Sequence, residues 1–166
     1  MMPDEVKERI VEISIGRQRL QLREGPGILM DIPVSTARNG PGETTGSECT
    51  PRGWHTIHAK IGADCPANTV FVGRKPTGEV YSKEYAAAAP ARDWILTRIL
   101  WLEGLEPGRN CGGEVDSRQR YIYIHGTPDE VALGTPGSRG CVRVRNDDVI
   151  RLFDLVEVGT RVNIKE

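Results

Sequence analysis

Two side chains that can carry nucleophilic chemistry lie close together in the second half of the chain. Cys141 sits within the segment SRGCVR, and His125 follows the apolar run YIYI sixteen residues earlier. A thiol becomes a strong nucleophile beside a base, and histidine suits that role near neutral pH. The pair therefore predicts acyl transfer through a cysteine, although one cysteine and one histidine at this spacing are weak evidence by themselves.

Acyl transfer also needs groups that orient the base and stabilise an oxyanion. The carbonyl of Gly126 is expected to hold one imidazole nitrogen of His125, which leaves the other nitrogen for the thiol. Backbone N–H groups around Gly140, Cys141 and Val142 are expected to form the oxyanion hole, because glycine permits the loop conformation that this requires.

Short apolar runs separated by glycine and proline must position these residues, and they are typical of a mainly β domain with short helices (α+β). Residues 10–15 alternate between apolar and polar side chains, which predicts a strand with one buried face. Pro33 places the third strand near an edge or a bulge, since proline cannot donate to a sheet ladder. The expected strands cover residues 10–15, 20–22, 28–35, 54–59, 70–73, 121–124 and 161–164.

A helix is expected in the middle of the chain. Residues 86–89 and then 93–102 fit one, with three apolar positions on one face and Pro90 in its first turn. It lies in a long connection, about 59–120, that exceeds a minimal loop. We expect this connection to be an inserted helical segment that builds a lid or a wall of the cleft.

A second helix is expected directly after the cysteine segment. Asn146 is a favourable residue for an N-cap, and the two aspartates that follow suit the positive end of a helix. The apolar residues beyond them recur at helical spacing, which predicts one buried face. That face comprises Val149, Leu152, Phe153 and Val156.

Length and charge limit the function classes. The chain has 166 residues and a formal net charge of -1, so we expect one domain over 1–166, with its core at about 10–164. The charge balance gives no reason to expect a nucleic-acid partner or an anionic membrane. The N-terminal residues lack the apolar stretch of a secretory signal, which predicts a cytoplasmic protein, or a periplasmic one if a leader has been removed.

No metal site and no cofactor are expected. The four cysteines are widely spaced and include no Cys-x-x-Cys pair, which a zinc ribbon requires. His55 and His58 are three residues apart, and such positions on a strand point to opposite faces. Joint coordination of a metal by these two histidines is therefore disfavoured.

The residues that flank the cysteine and the histidine give the pair a more specific meaning. The motif IHG at 124–126, followed by SRGCVR at 138–143, resembles the signature of the L,D-transpeptidase catalytic domain, also called the YkuD domain. The segments VST at 34–36 and TPRG at 50–53 resemble the substrate-side loop of that family. The strand pair within 13–22 resembles its opening hairpin, so the resemblance covers nearly the whole chain.

The resemblance implies a thioacyl mechanism on the stem peptides of peptidoglycan, within a YkuD-like β-sandwich or barrel. Members cleave the bond between a diamino acid, usually meso-diaminopimelate, and the D-residue that follows it. By resemblance, Cys141 is the nucleophile and His125 the general base and acid. Gly126 would orient His125, and Gly140 would shape the oxyanion site. The implied partners are stem peptides or their soluble fragments.

Arginines around the cysteine suit a substrate with several carboxylates, because a guanidinium binds a carboxylate through two hydrogen bonds. Arg139 stands where many members of the family have histidine, a departure that we expect to cost catalysis little. Arg143 is expected to contact substrate, whereas Arg145 is expected to be solvated. The candidate substrate-binding residues are Ser138, Arg139, Arg143, Thr50, Arg74 and Arg98.

Several functions remain open at this point. The cytoplasmic prediction favours water as the acyl acceptor, which would make the protein an L,D-carboxypeptidase of peptidoglycan recycling. The alternative is an L,D-transpeptidase that forms cross-links or exchanges D-amino acids in the cell wall. A non-catalytic murein-binding module and a thiol-based redox or metal protein are lesser alternatives. Retention of both Cys141 and His125 argues against a decayed site.

Overall fold

The computed structural model describes residues 7–89 and 92–166 and shows ten strands in one mixed, curled sheet. The strand order is β3-β2-β1-β10-β4-β7-β5-β6, and β8 and β9 extend the sheet from the side of β7. The strands are β1 (Arg9–Ser14), β2 (Arg19–Glu24), β3 (Gly27–Pro33), β4 (Gly53–Ile61), β5 (Thr69–Val72), β6 (Lys75–Val80), β7 (Leu96–Gly104), β8 (Tyr123–Thr127), β9 (Val142–Arg145) and β10 (Arg161–Lys165).

The alternating runs form strands as expected. In β1 the apolar residues Val11 and Ile13 are almost fully buried, while the polar residues between them are only partly buried. The strand pairs antiparallel with β2 and parallel with β10, which returns from the C-terminal end of the chain. Pro33 ends β3, which is an edge strand of the sheet, so the expectation from proline is confirmed. The fold class, mainly β with short helices, is confirmed as well.

The helix expected over 93–102 is wrong, because Leu96–Gly104 forms strand β7. This strand lies between β4 and β8 and is buried on both faces along most of its length. A strand covered on both faces reads as a continuous apolar run, and periodicity cannot distinguish such a run from a buried helix. The helix that does form nearby, α1, is short and spans Lys83–Ala88, with Ser82 as its N-cap. Pro90 lies outside the described residues.

The connection over 59–120 therefore contributes strands to the sheet and is not an inserted helical segment. It holds the end of β4, the β5–β6 hairpin, helix α1 and the central strand β7. A short 3-10 turn at Gly113–Val115 follows. Strand β6 is an exposed edge strand and α1 lies outside the sheet, whereas β7 pairs directly with β8, the strand that holds His125.

Helix α2 (Asn146–Leu155) packs on the core face of the sheet. Its expected stripe is confirmed, since Val149, Leu152, Phe153 and the following Val156 are all buried in the main core. The expectation that Asn146 caps the helix is wrong, because Arg145 occupies the cap position and makes no side-chain cap bond there. Asn146 is the first helical residue, and its buried amide bonds to Thr97 and Asn68 instead. Of the helices within 7–89 and 92–166, none is long and apolar enough to cross a bilayer.

Candidate active site

Two parallel strands bring the cysteine and the histidine to the same face of the sheet. Strands β8 and β9 pair in a register that sets His125 opposite Arg143. Cys141 directly precedes β9, and the backbone N–H of Tyr123 donates to its Sγ at 3.3 Å. Because side chains alternate along a strand, Tyr123, His125 and Arg143 point to the side of the sheet on which the thiol lies. The pairing of two short strands therefore places the thiol and the imidazole on one face of the sheet, where the thiol donates to the Tyr121 carbonyl at 3.3 Å.

The imidazole of His125 is held in one orientation. Its Nδ1 donates to the carbonyl oxygen of Gly126 at 2.6 Å, which is the contact expected from the sequence. This bond places the ring proton on Nδ1 and leaves the lone pair on Nε2. Nε2 is buried and has no hydrogen-bond partner within the described residues. A buried ring nitrogen that has no hydrogen-bond partner and carries a lone pair is suited to accept a proton.

Burial disfavours the charged form of both members of the pair. It lowers the pKa of His125, an effect that the Gly126 carbonyl and the Asp93 carboxylate partly oppose. Burial raises the pKa of the Cys141 thiol to about 12, and the N–H of Tyr123 counteracts part of that shift. Arg143 and Arg120 favour the thiolate more weakly. Proton transfer from sulfur to Nε2 is then expected to accompany attack on substrate rather than precede it.

The turn that precedes Cys141 is braced from within. The hydroxyl of Ser138 donates to the Cys141 carbonyl at 2.5 Å and accepts the N–H of Gly140 at 3.1 Å. The hydroxyl of Thr50 donates to the Gly140 carbonyl at 2.9 Å. Gly140 has a φ of +136°, a conformation that side-chain-bearing residues rarely adopt. Ser138 and Thr50, two candidate substrate ligands, are buried and hold this turn in shape.

The N–H of Gly140 already donates to the Ser138 hydroxyl, so fewer backbone donors are available for the expected oxyanion hole. A donor that is already bonded to a hydroxyl is less available to a developing oxyanion. The backbone N–H of Cys141 lies in the same sharp turn, next to the nucleophile. We therefore retain Cys141 as the main backbone donor and assign Gly140 the shaping of the turn.

An open cleft with a volume of about 470 Å³ lies beside the turn. The guanidinium of Arg143 reaches into it and donates to Asp93 at 2.8 Å and to the Gly137 carbonyl at 3.1 Å. Arg139 is exposed and also lines the cleft. The cationic and anionic side chains that line this cleft are Arg38, Arg92, Arg139, Arg143, Glu48 and Asp93. Guanidinium groups therefore outnumber carboxylates in this cleft, which suits the binding of a substrate carboxylate. The Asp93 carboxylate interacts electrostatically with both Cys141 and His125.

Arg74 approaches the nucleophile from the opposite side. It occupies the turn of the β5–β6 hairpin, with a φ of +66°. Its guanidinium stacks over the rings of Trp101 and Tyr121 at 5.0 and 4.6 Å and donates to the Tyr123 hydroxyl at 3.2 Å. The Tyr121 carbonyl accepts from Cys141 Sγ at 3.3 Å, so this stack borders the thiol. Arg74 therefore remains a candidate for substrate binding.

Arg98 lies on the other face of the sheet. Ile99 pairs with His125 and shares its face, so the neighbouring Arg98 points the opposite way. Its guanidinium donates to the carbonyls of Cys65 and Thr97, both at 2.7 Å, and lies 5.4 Å from the ring centre of Phe153 in α2. The expectation that Arg98 binds substrate rested on a helix that does not form, and the geometry assigns it to the core. Arg145, expected to be solvated, is exposed.

Two residues near the site gave no signal in the sequence. Asp93 forms the ion pair with Arg143 and influences both Cys141 and His125. Arg120 binds the loop before Thr50, donating to the Cys49 carbonyl at 2.7 Å. Both contacts join segments that are far apart in the chain, so no local motif marks them.

The two histidines outside the pair have separate surroundings. His55 is fully buried, with Nδ1 donating to the Gly53 carbonyl at 3.0 Å and Nε2 accepting from the Ser117 hydroxyl at 2.8 Å. His58 packs edge-on against Trp101. Within the part of the chain that the structure describes, no group of three or more metal-ligating side chains could hold a metal ion.

Sequence comparison finds proteins that are similar to this chain. The pattern of the L,D-transpeptidase catalytic domain, YkuD, matches residues 8–164. The probable L,D-transpeptidase ErfK/SrfK of Salmonella typhimurium is 32% identical over 168 residues, covering 99% of this chain and 46% of that protein. The probable L,D-transpeptidase YbiS of Escherichia coli K12 is 32% identical over 162 residues, covering 98% of this chain and 46% of that protein. The chain thus spans about half the length of these curated relatives.

Structure comparison finds the same fold in solved proteins. An L,D-transpeptidase from Mycobacterium smegmatis matches with a TM-score of 0.57 and 19% identity, over 96% of this chain and 59% of that one. L,D-transpeptidase 3 from Mycobacterium tuberculosis, solved with a faropenem-derived adduct, matches with a TM-score of 0.59 and 16% identity, over 96% of this chain and 61% of that one. At these identities the likeness shows the fold alone.

Proposed function

This chain belongs to the L,D-transpeptidase catalytic domain family, and from that premise we propose that it is a cysteine acyl-transferase acting on peptidoglycan stem peptides. The single observation that carries the proposal is the pairing of β8 with β9. That pairing sets the Cys141 thiol on the same face as His125, whose Nδ1 is fixed by Gly126 and whose Nε2 is unpartnered within the described residues.

The first half-reaction would form a thioester. The sulfur of Cys141 attacks the carbonyl carbon of the diamino acid while His125 Nε2 takes the thiol proton. The negative charge on the carbonyl oxygen is stabilised by the N–H of Cys141. The C–N bond to the D-residue then breaks, and His125 returns its proton to the departing amine. The sulfur and the acyl carbon remain joined.

The second half-reaction would transfer the acyl group. An incoming amine attacks the thioester carbonyl, and His125 Nε2 accepts one of its protons. The C–S bond breaks, the sulfur leaves and is reprotonated from His125, and a new amide bond remains on the stem peptide. If water attacks instead, the product is a shortened peptide with a free carboxylate.

We propose an amine as the acyl acceptor, so that the protein is an L,D-transpeptidase. The relatives that match nearly the whole chain carry that name, and this supports transfer to an amine over hydrolysis. The preference for an L,D-carboxypeptidase rested on the expected cytoplasmic location. That location stays a prediction, so hydrolysis is kept as the competing reaction.

The arginine-rich cleft supports a stem peptide as substrate. Such a peptide carries several carboxylates, including its free C-terminus, and guanidinium groups bind carboxylates with paired hydrogen bonds. Arg139 and Arg143 line the cleft next to Cys141, and Arg74 borders the thiol from the other side. We propose these three arginines as substrate ligands.

The test incubates the purified protein with a disaccharide-tetrapeptide, with and without a free D-amino acid, and follows the products by mass spectrometry. Exchange of the terminal D-residue is the expected result, and the Cys141→Ala protein is expected to give no product. The His125→Ala protein should be slower by roughly 10² to 10⁴. Accumulation of tripeptide in the presence of the amine would instead identify a carboxypeptidase.

Either of two further results would contradict the proposed mechanism. Retained turnover by Cys141→Ala would exclude the thioacyl mechanism. Loss of activity only when Cys49, Cys65 and Cys111 are replaced together would point to thiol redox or metal chemistry. A carbapenem adduct on Cys141 in the intact-mass spectrum is the expected covalent check, and it does not depend on the choice of acceptor.

A further inference from the structure

A bulge in β7 lies opposite the two residues of the histidine motif. Leu96 pairs with Gly126 and Ile99 pairs with His125, so Thr97 and Arg98 have no partners across the ladder. Bulges of this kind re-aim side chains and are frequent next to active sites. Thr97 is fully buried at the centre of this bulge.

The backbone of Thr97 adopts an unfavourable conformation. Its φ is +75°, in the left-handed region where a β-branched residue is a true outlier. Such conformations persist only when the surroundings hold them, and they cluster at functional sites. The surroundings of Thr97 must therefore hold this conformation in place.

A buried hydrogen-bond network holds Thr97 in place. Its hydroxyl donates to Asn146 Oδ1 at 2.6 Å and accepts the backbone N–H of Asn68 at 2.9 Å. The amide Nδ2 of Asn146 donates to Asn68 Oδ1 at 3.0 Å, which closes the network. Three segments are joined in this way: the loop before β5, the bulge of β7 and the first residue of α2.

The network presses directly against Gly126. A Cβ added at that glycine would overlap Asn146 Oδ1, lie 2.6 Å from the Leu96 carbonyl oxygen and lie 3.0 Å from Thr97 Cβ. The peptide unit of Gly126 therefore has little freedom to shift. Its carbonyl is the group that accepts from His125 Nδ1 at 2.6 Å.

From these contacts we infer that Thr97, Asn146 and Asn68 are positioning residues that fix the tautomer and orientation of the His125 base through Gly126. The inference rests on the proposed function, because it takes His125 as the base for Cys141. The hydrogen bond to one ring nitrogen determines which nitrogen carries the proton. A carbonyl held in place by Thr97 and Asn146 keeps that proton on Nδ1 and leaves Nε2 free for the thiol.

The test compares Thr97→Val with Thr97→Ser. Valine has nearly the size of threonine but lacks the hydroxyl, so both hydrogen bonds of Thr97 are lost. Serine keeps the hydroxyl. The measured quantity is the rate at which iodoacetamide alkylates Cys141 across a range of pH, followed by mass spectrometry on the peptide that contains Cys141. In this reaction an S–C bond forms, iodide leaves and the thiol proton passes to His125.

Iodoacetamide needs no stem peptide, so the result is independent of the substrate. We expect Thr97→Val to react at least about tenfold more slowly than wild type near neutral pH, with its profile displaced to alkaline pH where the thiol ionises unaided. Thr97→Ser should retain most of the wild-type rate. In ¹⁵N spectra of the His125 ring, wild type should show a proton on Nδ1 and Thr97→Val a mixture of tautomers.

The outcomes separate this inference from the proposed function. A wild-type profile for Thr97→Val, together with slow alkylation of His125→Ala, would overturn the inference and leave the catalytic pair intact. Alkylation of His125→Ala at the wild-type rate would show that His125 is not the base, and both proposals would fall. If Thr97→Val does not fold, Asn68→Gly carries the test, since it removes the contact to Asn146, keeps the backbone N–H and tolerates the φ of +69° at that position. An unchanged profile for that variant would also overturn the inference.

Discussion

Ser138 shows how a motif residue can matter to catalysis without reaching the substrate. It is only 3% exposed, and its hydroxyl joins the Cys141 carbonyl to the Gly140 N–H. These two bonds set the turn that presents the thiol and the neighbouring backbone donor. Ser138 was expected to be a substrate ligand, and its burial favours a supporting role instead.

We expect Ser138→Ala to lower kcat by about ten- to a hundredfold with little change in KM. The variant leaves two buried backbone groups without their partner, and each lost bond costs about 1 kcal/mol or more. Steady-state kinetics of D-amino-acid exchange give both constants, and Ser138→Thr, which keeps the hydroxyl, is the control. A raised KM with an unchanged kcat would show that the hydroxyl contacts substrate after all.

The motifs pointed to the proposed nucleophile and base but not to the residues that hold them in place. Cys141 and His125 stand in local sequence patterns, so the sequence was sufficient to select them. Asp93, Arg120 and Thr97 act through contacts between distant segments, which the pairing of β7 with β8 and the packing of loops create. Such contacts depend on the three-dimensional register, and no spacing along the chain encodes them.

At the scale of elements, the strands with one polar and one apolar face were the most readily predicted. Strand β1 alternates along its length, and so does β10, its parallel neighbour. Strand β7 lacks that signal because it is covered on both faces, by α2 on one side and the site cluster on the other. Its mistaken assignment as a helix also misplaced Arg98, since alternation along a strand reverses the direction of adjacent side chains.

Arg98 and Arg74 lie on opposite sides of β7, so replacing each by methionine should have different consequences. Arg98→Met should lower the free energy of unfolding by about 1–3 kcal/mol, because two carbonyls lose a charged donor, and should leave KM unchanged. Arg74→Met should raise KM with little loss of stability, because Arg74 is a hairpin residue bordering the thiol. Urea unfolding and exchange kinetics on both variants make the comparison. A higher KM for Arg98→Met with normal stability would contradict the assigned faces.

At the scale of the whole molecule, the main hydrophobic core and the candidate active site lie on opposite faces of the curled sheet. One face, closed by α2, holds the main aliphatic core, while the other carries the thiol, the imidazole and the arginine-lined cleft. The bulge of β7 connects the two faces, since Thr97 bonds to the first residue of α2 and lies against Gly126. A change on the core side can therefore reach the base without touching the substrate.

Buried neutral histidines should make the fold sensitive to mild acid. Burial lowers the pKa of His55 from 6.5 to about 4 and lowers the pKa of His125 in the same direction. Below about pH 6.5 the unfolded chain binds protons at these positions while the native state does not, so stability falls as pH decreases. The loss from His55 continues until the pH reaches its native pKa of about 4.

We expect the free energy of unfolding to fall by roughly 2 kcal/mol between about pH 7 and pH 5 through His55 alone, with His125 adding to the loss. Urea unfolding at a series of pH values measures this slope. In His55→Gln the amide can still accept from Ser117 but binds no proton, so the slope should flatten while the part due to His125 remains. If the free energy of unfolding falls equally steeply with decreasing pH in His55→Gln, then His55 is not the group whose protonation is coupled to unfolding.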